Sequence, residues 1–313
     1  MNDPLEYSKF AADAEDIDYQ CNRSIRFEIR KSGTTILEET YTPDNDSYVH
    51  VRGLAGILSQ CLYGTLGATD QTPTAKDTFT FHVNGASLFG NKEIYAMRLR
   101  NPADPNGRKK VMAVAAHSTA HAGTPMLVTV IGFLPTYLYR SDGSVLSARS
   151  IGSADSVTTV DIDPATLYPD TYRDGSHIDI GGEMCVDILP PLCSNDAVAV
   201  RFLNRYDMPE SLVAAYLEEK PQAQGDTAVM YGRRTRFDVK SSTEYTLKSG
   251  PVRHREQFDT WQDLLTSRKA QVLWHGQWTD IIVTKANYTR HRRNFYGQQV
   301  EMAFQTANPL LTL

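Results

Sequence analysis

AVAVRFLNRYDMPES (residues 197–211) and FDTWQDLLTSRKAQVLWHGQWTDIIVTKANYTR (residues 258–290) decide how this chain folds. In the second stretch Phe258, Trp261, Leu264 and Leu265 recur at helical spacing with charges on the other face. Residues 253–268 therefore predict one amphipathic helix. Immediately after it the period drops to two. Residues 271–274 and 278–284 flank a tight turn at His275-Gly276-Gln277, and residues 281–288 and 298–306 predict a long hairpin around 290–297. Val300, Met302 and Phe304 there alternate with Glu301, Ala303 and Gln305. The first stretch adds a strand at 197–203, a turn at 204–210 and a returning strand at 211–218. Strands at 230–239 and 243–248 follow, and Gly250-Pro251 stops the sheet. One helix set among antiparallel strands predicts a small α+β module over residues 197–309.

Working outward, Pro190-Pro191 and the polar cluster Cys193-Ser194-Asn195-Asp196 mark a boundary, because two prolines cannot continue a central ladder. Before it lie many short strands separated by Gly, Asn, Asp and Pro turns, with Ser32-Gly33, Asn84-Gly85 and Asp142-Gly143 among them. Strands are expected at 24–30, 35–42, 48–51, 78–83, 93–100, 110–116, 126–133, 144–149, 157–162, 177–180 and 184–189. Leu54, Ile57, Leu58, Cys61 and Leu62 predict a short helix near 53–63. Residues 23–192 are thus expected to form a β-rich domain of one or two sandwiches. Residues 1–22 read as an acidic arm that orders only where something holds it. The fold class is mainly β: an antiparallel sandwich or barrel region, then the α+β module with its single amphipathic helix.

Composition narrows function. The 313 residues are 41% hydrophobic and 22% charged, as in a folded globular chain. A net charge of −5 exerts no general pull on nucleic acid. No apolar run reaches membrane-spanning length, and the start of the chain lacks a signal-peptide pattern. Four cysteines without a CxxC pair, Cys21, Cys61, Cys185 and Cys193, read as buried thiols. Glycine-rich phosphate loops and βαβ alternation are absent, which disfavours nucleotide-binding α/β folds.

Several clusters invite a sharper reading. His117 and His121 have the i,i+4 spacing of a helical metal site, but Ser118 stands where a zincin has Glu, and no metal is assigned. Asp161 and Asp163 share one strand face, as do His177 and Asp179. A hydrolase could use such carboxylates, but a solvated strand face explains them first. Trp274 and Trp278, on either side of the tight turn, suggest a glycan-stacking platform; an ordinary cross-strand aromatic pair is the plainer alternative. Arg290, Arg292 and Arg293 make a basic hairpin tip, joined in composition by Arg233, Arg234 and Arg236. A solvent-facing turn ranks first for that tip, a subunit contact second and nucleic acid third. No catalytic constellation and no cofactor motif is found, so no enzyme activity is assigned.

The order VRFLNRYDMPES…RTRFDVKSSTEYTLKSGP…FDTWQDLLTSRKAQVLWHGQWTDIIVTKANYTR…QQVEMAFQTANP resembles tail structural proteins encoded by phages and prophages of Bacteroidales, over about residues 197–308. The matching positions are Phe202, Asn204 and Tyr206 of an FxNxY turn, then Trp261, Leu264 and Leu265, and finally Phe304 and Ala307. Asp207 stands where that pattern more often has Gly, and Asp also tolerates a left-handed backbone. The resemblance implies a non-enzymatic ring or adaptor at the distal tail or baseplate. Implied partners are further copies of the chain and tube, hub or tape-measure proteins. It also implies synthesis in the host cytoplasm and assembly into a virion tail. The alternatives carried forward are a carbohydrate-binding sandwich and, behind it, a hydrolase.

Overall fold

A computed structural model of the chain describes residues 3–6, 9–62, 72–73, 76–95, 110–154, 156–189, 197–287 and 298–307. The fold is mainly β, with a curled antiparallel half-barrel sheet and few helices, as expected.

The first part of the chain carries β1 (Ile17–Gln20), β2 (Ile25–Lys31), β3 (Thr34–Tyr41), β4 (Tyr48–Val51), α1 (Leu54–Cys61), β5 (Thr72–Pro73), β6 (Lys76–Val83), β7 (Ala86–Ser87) and β8 (Lys92–Tyr95), and all but β5 surround the first core. β3, β2, β6 and β7 lie side by side, with β8 also on β6. β5 instead pairs into the second core. Phe27, Ile29, Phe79 and Phe81 bury one sheet face against Leu54 and Leu58 of α1. The segment read as an acidic arm is held by the chain itself. Leu5, Ala11, Ala14 and Ile17 join this core, and β1 pairs antiparallel with β4. Gly53 has no side chain to cap α1, and Asp16 supplies the missing acceptor by taking the Gly53 amide at 2.9 Å.

The second core uses β9 (His117–His121), β10 (Leu127–Ile131), β11 (Leu134–Tyr139), β12 (Val145–Ile151), β13 (Val157–Asp161), α2 (Pro164–Leu167), β14 (His177–Ile180) and β15 (Met184–Leu189). A three-stranded sheet, β10-β13-β5, faces a five-stranded one, β12-β11-β14-β15-β9. Val128, Val130 and Val160 of the first share one core with Leu138, Ile178 and Val186 of the second. Two of the chain's passages between these sheets, β10 to β11 and β12 to β13, turn at Gly132 (φ 70°) and Gly152 (φ 83°). The two switches touch, for a Cβ on Gly152 would sit 2.1 Å from the Gly132 carbonyl oxygen. Such corners need a residue without a side chain. Two details depart from expectation. His117–His121 is itself a strand and pairs parallel with β15, whereas the strand expected at 110–116 is reduced to a single bridge, Val111 to Val130.

The third core holds β16 (Val198–Leu203), β17 (Pro209–Ala214), β18 (Tyr216–Met230), β19 (Arg233–Lys248), α3 (Gln257–Thr266), β20 (Ala270–Trp274), β21 (Gln277–Asn287) and β22 (Glu301–Thr306). Its seven strands run β17-β16-β20-β21-β22-β19-β18, every pair antiparallel. Phe258, Trp261 and Leu264 of α3 pack on Phe202, Leu247, Val272, Met302 and Phe304 of the sheet. The expected helix and final hairpin are therefore present, the helix shorter at both ends. β18 and β19 were not expected at their full lengths of 15 and 16 residues.

Candidate assembly surface

The FxNxY turn between β16 and β17 is where the three cores meet. Asn204 accepts the Tyr206 amide at 3.0 Å and the Met208 amide at 3.2 Å. It donates to the Met112 carbonyl at 2.8 Å and the Glu210 carboxylate at 2.7 Å. Every hydrogen-bonding group of that amide side chain is thus satisfied while buried. Tyr206 and Met208 enter a small apolar cluster with Tyr95, Met112 and Val157, so one turn touches residues of both preceding cores. Asp207 adopts φ 61°, a left-handed geometry that Asp tolerates, and its carboxylate is ion-paired with Arg268. Arg205 clamps the turn to α3 by gripping Asp263 at 2.7 Å, and this pairing lifts the guanidinium above its ordinary pKa.

A second seam is more open. His117 and His254 stack with ring centres 5.2 Å apart. His117 faces Glu256 at 3.3 Å, His254 faces Asp187 at 2.7 Å, and Gln257 donates to Thr119 at 3.0 Å. His117 and His121 lie at the two ends of strand β9. Four strand steps separate them by about 13 Å, which no helical chelate resembles. Among the described residues, no group of three or more His, Cys, Asp or Glu side chains is placed to hold a metal.

The other candidate residues are dispersed. Asp161 accepts the Met126 amide at 2.9 Å and the Asp163 amide at 3.0 Å. Asp163 caps α2, accepting from Ala165, Thr166 and the Gly123 amide. The solvated-face reading of this pair is corrected: Asp163 is buried, and both carboxylates serve to fix loops. His177 stacks on Tyr139, and Asp179 accepts the Gly182 amide at 3.0 Å.

Trp274 and Trp278 do not form a platform. The turn is two residues long, His275 (φ 47°) and Gly276 (φ 78°), so Trp274 pairs with Gln277 and Trp278 with Leu273. Paired residues share a face, which puts the two indoles on opposite sides of the sheet. Trp274 turns inward, edge-on to Tyr245. Trp278 lies against the Arg201 guanidinium, 4.0 Å from its ring centre. Arg201 also donates to Gln271 at 2.8 Å, and burial pulls its pKa down to about 10. Cys21, Cys61 and Cys185 are half-buried rather than buried; burial raises the Cys185 thiol. Arg290, Arg292, Arg293, Cys193 and the boundary at 190–196 lie outside the described residues.

What remains is the ribbon formed by β18 and β19. At its base Lys248 bridges Glu218 at 2.5 Å and Glu301 at 3.4 Å. β19 pairs with β22 only over Tyr245–Lys248; beyond that the two strands pair with each other, out to Met230 opposite Arg233. The ten residues past Lys220 reach roughly 30 Å at about 3.3 Å each. The tip carries Tyr231, 101% exposed, and Val229, 67% exposed, beside the exposed Arg233 and Arg234. This arm is not among the elements expected from the sequence. Its one signal was Tyr231-Gly232 between two polar, β-compatible runs.

No family model and no curated protein matches the chain. Two solved structures are similar to part of it. One is a chain of the virion of a native gene transfer agent particle. It is 10% identical with a TM-score of 0.24, over 36% of this chain and 91% of that one. The other, from the tail of an empty gene transfer agent particle with C6 symmetry, is also 10% identical. Its TM-score is 0.23 over the same shares of the two chains. Likeness at this level establishes neither a shared fold nor a shared activity.

Proposed function

We propose that this chain is a non-enzymatic structural component of a phage tail or tail-like particle, serving as a ring or adaptor at the distal tail or baseplate. The observation that carries the reading is the β18–β19 ribbon. A chain gains nothing for its own core by extending into solvent two strands whose tip exposes Val229 and Tyr231, whereas a neighbouring subunit can bury those side chains. The reading is also supported by the resemblance over residues 197–308 and by the way the candidate catalytic carboxylates are used up as loop anchors. In this account residues 197–309 are the docking module. Further copies of the chain and tube, hub or tape-measure proteins are its partners, and Arg290, Arg292 and Arg293 add a second basic contact. Assembly into a particle follows.

Co-expression with the products of the neighbouring reading frames, followed by affinity capture and electron microscopy, tests this. The expected result is a stoichiometric complex containing rings or tail segments. A chain that captures none of those products and shows hydrolytic or glycan-binding activity instead would overturn it.

A further inference from the structure

The ribbon guards its edge and leaves its tip bare. Pro221 removes an amide from the edge strand β18, and a register shift between Gln224 and Asp226 interrupts its hydrogen-bond spacing. Both features discourage another strand from adding alongside. At the tip, Tyr231 (φ 50°) and Gly232 (φ 75°) are the central residues of a two-residue turn. Such turns favour Asn, Asp or Gly first, and a bulky side chain at positive φ is disfavoured. The equivalent position is Ser32, Asn84 or His275 in the chain's other turns of this kind. Tyr231 therefore carries a backbone penalty while its ring buries nothing within the chain. Neither the turn nor the core calls for an aromatic residue there.

Resting on the assembly reading above, we propose that Tyr231 is an anchor that docks on exposed apolar surface of a second copy of this chain. Val229 packs alongside it, and Arg233 and Arg234 meet carboxylates at the rim. Contact is by side-chain burial at the tip, not by strand addition along the ribbon. Tyr and Arg are the residue types that most often dominate such contacts. A second copy fits for two reasons. The chain is acidic overall at −5 although its tip is basic, so the body of a neighbour complements the tip. Away from the tip, the described residues Phe133, Val145 and Ile282 stand exposed on the body, offering apolar surface that the monomer leaves uncovered. A tip-to-body contact is heterologous, and repeated rotation closes it into a ring or extends it into a filament.

The test is sedimentation velocity of the full chain over a wide concentration range, comparing wild type with Tyr231→Asn and Tyr231→Phe, with melting temperature recorded for each. Asn suits the turn better, so a purely local role predicts equal or higher stability and unchanged association. The proposal predicts association weakened by about tenfold or more in Tyr231→Asn, retained in Tyr231→Phe, with melting unchanged or raised. Equal association of wild type and Tyr231→Asn overturns the anchor and leaves the assembly reading standing. A wild type that stays monomeric throughout overturns the second-copy partner; capture of neighbouring tail proteins then judges the assembly reading separately.

Discussion

The FxNxY turn and the ribbon tip are both two-strand connections in one sheet, and they are built in opposite ways. At the turn, Asn204 uses all its hydrogen-bonding capacity, Arg205 and Asp207 are ion-paired, and Tyr206 and Met208 are buried. At the tip, Tyr231 and Val229 touch solvent and the backbone is left-handed under a bulky residue. The first region finishes its interactions inside the chain, and the second postpones them. A protein that works by assembly needs both: a stiff body that fixes where the arm points, and an arm whose contacts are made elsewhere.

The largest effects should come from the body. Trp261→Ala removes an aromatic ring from the core under α3 and should lower unfolding free energy by about 3–5 kcal/mol in denaturant titration. Asn204→Ala strands the Met112 carbonyl and two turn amides in a buried place, with an expected loss of about 2–4 kcal/mol. If Asn204→Ala melts like wild type, the turn is not the joint between the cores. Asp163→Ala removes the cap of α2 and should cost about 1–2 kcal/mol.

A pH effect sits beside the first core, at the β1–β4 pair. His50 is raised above its ordinary pKa by hydrogen bonds to Asp18 and then Asp44, tying β1 to β4 and the turn before it. A raised histidine stabilises the fold fully below its unfolded value of about 6.5, and the contribution fades as pH climbs through the folded value. Wild type should therefore lose melting temperature relative to His50→Gln as pH rises above about 6.5; parallel curves would refute the link. The smallest stability change is expected at the tip, where Tyr231→Asn should shift unfolding by no more than about 0.5 kcal/mol.

Legibility in the sequence follows the same division. Helix α3 and the β21–β22 hairpin could be read because burial imposes periods of 3.6 and 2 on Phe258, Trp261 and Leu264 and on Met302 and Phe304. Residues 219–230 escaped notice because a ribbon in solvent has no buried face and so no alternation to detect. The N-terminal segment was missed for a different reason: Leu5, Ala11, Ala14 and Ile17 dock singly along a path without a regular period. The two tryptophans turned on one residue of turn length. A three-residue loop would have opposed Trp274 and Trp278, and the two-residue loop at His275-Gly276 puts them on opposite faces. The loop-fixing role of Asp161 and Asp163 depends on amides brought from Gly123 and Met126, which local spacing does not reveal.

The central claim is that the ribbon exists for assembly and not for folding. Gln222 pairs with Ser242, so replacing residues 223–241 by Asn-Gly shortens the ribbon to a two-residue turn of the kind used elsewhere in the chain. Sedimentation velocity of this shortened chain beside wild type is the direct measurement. The account predicts that wild type self-associates and the shortened chain stays a monomer, with both melting within a few degrees of each other. A shortened chain that assembles as well as wild type would contradict it.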